Sequence, residues 1–222
     1  MIKDIIDLSD KYTASYIILQ NDKSFPSLPK NDLLKLLSLS IFTGEKEANI
    51  ILKQYPKTPL QHIAQNLGLK VKYSTETAVD NYFFSRYNHS LSEITIDKNI
   101  MFYLSSVFNH KLPLYNFTFN IIRDVFLSHE IFHHLEIVKK INLDKEFKFI
   151  NWKFGPIKFS STPKCASEIA AFAFSQRINN LPFHPKVLEY IYQIENLITD
   201  ESIIINALKE AKKITSSPLL NM

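Results

Sequence analysis

The chain reads as an α+β protein: a small, largely antiparallel sheet packed on an active-site helix bundle, with helical N- and C-terminal segments. Three observations predict it. Apolar residues recur at helical spacing through the first quarter and again from about 163 to 213. The stretch from 69 to about 104 breaks into short β-like runs separated by turns rich in Asn and Asp. Between them, residues 117 to 140 form one long helical pattern. With 222 residues, 45% hydrophobic and 22% charged, one core is expected. The domain is taken as 1–222, with a helical N-terminal segment 1–57, a central core 58–182 and C-terminal helices 183–222.

In the N-terminal segment, residues 2 to 19, 31 to 41 and 45 to 54 each read as a helix; Leu33, Leu34, Leu37 and Ile41 show the spacing. The stretch TPLQHIAQNLGLKVKY then carries both ends of a further helix. Thr58 as N-cap, Pro59 at the first helical position and Gln61 three beyond the cap mark its start. Gly68, one of only three glycines, ends it. LKVKYS alternates as a half-buried strand does, and YFFSRY, EITID and IMFYL read as further strands. After the loop HKLPLYN, Asn116 is the expected cap of the long helix, whose apolar face holds Ile121, Ile122, Val125, Phe126, Ile131, Phe132 and Leu135. NWKFGPIKFSS reads as a loop. Thr162-Pro163 begins a helix over 163 to 178, and 184 to 197 and 200 to 213 are the C-terminal helices.

Charge excludes some functions. The net charge is +4, but the 26 Lys and Arg are scattered; the basic pairs Lys139-Lys140 and Lys212-Lys213 lie near expected helix C-termini, where cations complement the backbone dipole. Without a basic stripe, direct contact with nucleic acid is not expected, and Phe117, Phe119, Phe126 and Phe132 are core residues rather than stacking platforms. PLQHIAQNLGL resembles the first half of a helix-turn-helix, but a strand-like run follows where a recognition helix should. A single cysteine, Cys165, excludes an intrachain disulfide and fits a reducing compartment. Asp4, Asp7 and Asp10 break any signal-peptide core, and no apolar run approaches the ~20 residues of a membrane helix, so a cytoplasmic protein without a membrane partner is expected.

Residues 127 to 136 read LSHEIFHHLE and carry the chemistry. His129-Glu130-Ile131-Phe132-His133 matches H-E-x-x-H. On a helix, residues four apart share a face, so two imidazoles can reach one metal ion. Glu130 is turned about 100° away, free to act as general base toward the attacking water. At this composition random placement yields the pattern only ~0.01 times, so chance is a poor account of it. The bland alternative is a solvated polar helix face.

A catalytic zinc requires a third protein ligand and leaves a position open. Glu136, Asp144, Glu146, Glu168 and His184 are the candidates. Glu136 lies a turn beyond the histidine pair, overshoots the metal and is read as a bystander. Glu168 stands among Ala166, Ala170, Ala171, Phe172 and Ala173, where a carboxylate is costly to bury unless a cation meets it. The small alanines would let the two helices approach closely. The competing reading makes Glu168 an exposed residue or a partner of Arg177 or a lysine. His134 points about 140° from His129 and is no ligand; Cys165 is read as a buried thiol, and His62, His89 and His110 as surface or packing residues, leaving His184 as the reserve ligand.

These stretches resemble the ImmA/IrrE family of bacterial metallopeptidases. The carrying segments are IAQNLGLKV at 63 to 71, EITID at 93 to 97, LSHEIFHHLE at 127 to 136 and SEIAAFAF at 167 to 174, so the resemblance covers roughly 58 to 182. It implies a zincin-like core, His129, His133 and Glu168 as Zn2+ ligands, Glu130 as general base, and a protein substrate of the helix-turn-helix repressor class. The chain departs from the family in having Phe132 where Gly is usual and E-I-A in place of E-A-N. A zinc-dependent endopeptidase is therefore the expected function. The rival is a regulatory or interaction protein whose metal site is structural or vestigial, which a fourth protein ligand closing the shell would favour.

Overall fold

The two helical patterns at 31 to 41 and 45 to 54 are one helix, α3 (Lys30–Gln54), that runs straight through Gly44. Glycine costs about 1 kcal/mol against alanine in a helix interior, and a contact explains its presence. A methyl group at Gly44 would lie 2.1 Å from the Ala170 carbonyl oxygen and 2.8 Å from the Phe174 amide nitrogen. Those atoms belong to α7 (Cys165–Ile178), whose Ala166, Ala170 and Ala171 are fully buried. Small residues on both helices let their backbones nearly touch; the sequence places the alanines against the H-E-x-x-H helix, whereas the near-contact observed is with α3.

The computed structural model describes residues 2–28, 30–75, 82–113, 116–143, 149–154, 157–161 and 163–216. The fold is α+β, with nine helices among the described residues. Besides α3 and α7 these are α1 (Ile2–Leu8), α2 (Lys11–Gln20), α4 (Leu60–Asn66), α5 (Lys98–Lys111), α6 (Phe119–Val138), α8 (Lys186–Glu195) and α9 (Glu201–Thr215). Buried apolar residues from Ile2 in α1 to Ala211 in α9 form one continuous cluster.

α4 ends as its sequence predicts. Gly68 takes φ +79°, and the Leu69 and Gly68 amides donate to the carbonyls of Ala64 and Gln65, each at 2.9 Å, which satisfies two otherwise orphaned acceptors. Its start differs from expectation: Pro59 occupies the cap without a side-chain bond, and the Thr58 hydroxyl donates to Pro56 at 3.4 Å instead.

β1 (Lys70–Ser74), β2 (Ser85–Asn88) and β3 (Glu93–Asp97) form a three-stranded sheet in the order β1-β3-β2. β3 is parallel to β1 and antiparallel to β2, with Ile94 and Ile96 fully buried. IMFYL is not a strand but the start of α5. Buried Asp97 closes β3 and accepts from the Ile100 amide at 2.9 Å, capping the helix that follows. Ile100, Met101, Leu104 and Phe108 then line one face. Five apolar residues in a row do not distinguish strand from helix; the cap decides.

The long helix α6 is capped by Thr118, whose hydroxyl accepts from the Ile121 amide at 3.4 Å, rather than by Asn116, which has φ +45°. NWKFGPIKFSS is not a loop: β4 (Phe149–Phe154) and β5 (Ile157–Ser161) pair antiparallel in a separate hairpin. Thr162, the expected cap of α7, lies outside the described residues. The cap observed comes from far away, the Asp22 carboxylate accepting from the Cys165 amide at 3.0 Å.

Candidate metal centre

His129 and His133 stand one turn apart on α6, with their Nε2 atoms 3.2 Å apart. Glu168, in the first turn of α7, completes the group. Its Oε2 lies 3.2 Å from His129 Nε2 and its Oε1 3.4 Å from His133 Nε2. One ligand atom from each of the three residues lies within 4.8 Å of the others, so the group could hold a metal ion. Two readings of Glu168 are thereby corrected. Its side chain is half exposed rather than buried among the alanines, and Arg177 bonds Asn49 instead of meeting it. Partial loss of water around it pushes the half-exposed Glu168 carboxyl upward, but the His129 contact and the charges of His129, His133 and Lys186 outweigh it and bring the pKa down to about 2.

A buried polar knot holds the two helices in this register. The Ser128 and Ser175 hydroxyls lie 3.0 Å apart and both donate to the Val125 carbonyl, while the Asn179 amide donates to Ser128 at 2.8 Å. Ser128 and Ser175 are fully buried, so their hydrogen bonds satisfy groups that would otherwise be costly in the core. The knot sits immediately before His129 in α6.

His133 is held from behind. The Ser167 hydroxyl lies 3.2 Å from its Nδ1 and donates to Glu136 Oε2 at 2.5 Å; Glu136 Oε2 is itself 3.6 Å from Nδ1. Glu136 stands outside the group that could hold a metal ion but contacts His133, a member of it, directly and through Ser167. Burial lowers the His133 pKa, yet the adjacent Glu136 carboxylate and the charges of Glu168 and Glu130 raise it more, and the net shift is upward. His129 differs, since its buried Nδ1 has no hydrogen-bond partner among the described residues.

Glu130 is buried outside the ligand group, on the side of α6 that faces β2, and its Oε1 accepts from the Ser85 hydroxyl at 2.6 Å. His134, on the same side, bonds the Tyr87 hydroxyl through Nδ1 at 2.8 Å; burial lowers its pKa. His134 thus clamps the edge strand to α6. His184, the reserve ligand, is fully buried and does not join the group. Its Nδ1 accepts from the Lys186 amide at 3.2 Å, and its ring packs on Phe172, which also contacts His129. Burial takes the His184 pKa down to about 3. Cys165 is a buried free thiol raised by burial and by Asp22. His62, His89 and His110 are exposed, and Asp144 and Glu146 lie outside the described residues.

The group opens on two clefts. One, of about 630 Å³, runs past Ser85, Glu130, Phe172 and Lys186; the other, of about 560 Å³, runs past Glu136, Lys140 and Lys164. His133 and Glu168 line both. No helix among the described residues is long and apolar enough to cross a membrane. No protein-family model, curated protein or solved structure matches the chain.

Proposed function

We propose that the chain is a zinc-dependent endopeptidase that hydrolyses a peptide bond in a cytoplasmic protein, with His129, His133 and Glu168 as ligands and Glu130 as general base. The observation that carries the reading is the convergence of two imidazole nitrogens and the Glu168 carboxylate on one point. Bonds of ~2.0–2.1 Å in tetrahedral geometry put neighbouring ligand atoms about 3.3 Å apart; the two Nε2 atoms are 3.2 Å apart, and one Glu168 oxygen lies 3.2 Å from His129 Nε2 while the other lies 3.4 Å from His133 Nε2. Two imidazoles and a carboxylate also suit zinc by ligand type, and three protein ligands leave a position for water and substrate.

Zinc, when bound, supplies an acidified water and a polarised carbonyl. The chain supplies the rest. Glu130 stands outside the ligand group with Ser85 fixing one oxygen, so its carboxylate can accept the proton from the attacking water and pass it to the leaving amine. Two clefts share His133 and Glu168 in their walls and give a polypeptide room beside the group. The resemblance to the ImmA/IrrE family adds the substrate class, a helix-turn-helix repressor.

Metal analysis tests the site. The wild type should carry one zinc per chain, and His129→Ala and Glu168→Ala should lose it. A full metal load in Glu168→Ala would remove that residue from the shell. Glu130→Gln should keep its zinc while cleavage of a repressor substrate falls by about 10²–10⁴-fold; undiminished cleavage would end the general-base assignment.

A further inference from the structure

We propose that Glu136 and Ser167 are positioning residues that hold His133 as the Nδ1–H tautomer and direct its Nε2 lone pair at the metal position. The inference rests on the zinc reading. Its basis is proton accounting. An ionised carboxylate only accepts hydrogen bonds, and a serine hydroxyl has one proton to give. The 2.5 Å contact from Ser167 to Glu136 Oε2 uses that proton. The Ser167 oxygen, 3.2 Å from His133 Nδ1, is then left as an acceptor, and so is Glu136 Oε2 at 3.6 Å. Both partners behind the ring accept, so the proton belongs on Nδ1 and the lone pair on Nε2. That lone pair faces His129 Nε2 and Glu168 Oε1.

The pair does a second job through its place in the chain. Ser167 immediately precedes Glu168, so one turn of α7 presents both the third ligand and the residue that orients the second. Glu136 reaches that turn from α6, one turn beyond His133. The ligand helices are thus tied together at the metal by the same contact that sets the tautomer. His129 has no such support, its Nδ1 being buried without a partner among the described residues. Of the two histidines, His133 is the pre-oriented one. Outer partners of this kind typically govern 10–100-fold of metal affinity.

The test has two readouts, neither of them activity. Long-range proton–nitrogen NMR on the metal-free protein, above the pH at which His133 titrates, reports which ring nitrogen holds the proton; Nδ1–H is expected for the wild type. Zinc affinity by chelator competition should fall about 10–100-fold in Ser167→Ala and Glu136→Ala. Ser167→Thr, which keeps the hydroxyl, should retain most of the affinity. An Nε2–H tautomer in the wild type would overturn the proposal, as would wild-type affinity in both alanine variants. A wild type without zinc affinity would instead sink the zinc reading, and the NMR result would still decide the tautomer. Should the alanine variants fail to fold, the wild-type spectrum and Ser167→Thr remain decisive.

Discussion

The two sides of α6 do different work. Toward α7 it presents His129 and His133, with the Ser128 knot beside them. There the backbone of α7 is fixed by direct contact with α3 at Gly44 and by the Asp22 cap. Toward β2 it presents Glu130 and His134, met by single hydroxyls from the edge strand, Ser85 and Tyr87, and by Phe84 stacked on Phe126 at 4.9 Å. The ligand side is held by close-packed backbone and the base side by side chains. Metal retention and proton transfer should therefore be separable by mutation, one depending on helix packing and the other on a strand that can be altered locally.

Gly44→Ala should strike hardest and only on the ligand side. A methyl 2.1 Å from a backbone oxygen has no flexible neighbour to displace, so α3 and α7 must separate. The expected cost is about 3 kcal/mol, with zinc affinity falling alongside stability. Denaturant unfolding and metal analysis check it, and a variant with wild-type stability would show that the crossing is looser than its contacts imply.

A pH effect of the next size belongs to the same side. The His184 pKa is depressed to about 3 in the fold against about 6.5 when unfolded. Its contribution to stability is complete above pH 6.5 and lost as pH falls toward 3, at up to about 1.4 kcal/mol per unit. His133, raised in the fold, acts oppositely: its contribution is complete below its unfolded value and lost as pH rises through the folded one. Metal-free His133→Ala protein removes the opposing effect and leaves His184 together with His134, whose pKa burial also lowers. It should be less stable at pH 5 than at pH 7 in chemical denaturation, and a flat profile would contradict the assignment.

The base side should respond in turnover rather than in metal. Ser85→Ala removes the hydroxyl on Glu130 and should lower kcat about 10-fold, the equivalent of one hydrogen bond to a charged group, with zinc content unchanged. Loss of zinc in this variant would erase the division between the two sides. The smallest effect is expected from Tyr87→Phe, which removes the bond to His134 and should cost about 1 kcal/mol in thermal unfolding while leaving zinc in place.

The candidate site was legible in the sequence in proportion to its locality. His129, Glu130 and His133 lie within one turn and a half of one helix, so spacing alone orients them. Glu168 is 35 residues beyond His133 and drew attention only as a carboxylate among alanines and through the family resemblance. Ser85, Ser128, Ser167 and Ser175 carried no signal. Each is an ordinary serine whose role comes from a partner 31 to 47 residues away. Glu136 was visible but set aside, because spacing shows only that it lies a turn beyond the histidine pair and not that it packs behind His133.

The fold divides along the same line. The chain by itself determined where α4 stops, where β1 and β3 run and, apart from the exposed Ile121, which face of α6 is apolar, because these depend on neighbours within a turn or an alternating pair of residues. Only the tertiary structure decided that Gly44 lies inside one long helix, that 100 to 104 coil rather than extend, that Phe149–Phe154 and Ile157–Ser161 pair as strands, and that α7 takes its cap from Asp22. Each of those outcomes turns on a contact between residues distant in sequence or on a competition between local preferences too close to separate. So does the candidate metal centre: a helix can place two imidazoles on one face, but only the packing of α7 against α6 brings a carboxylate to meet them.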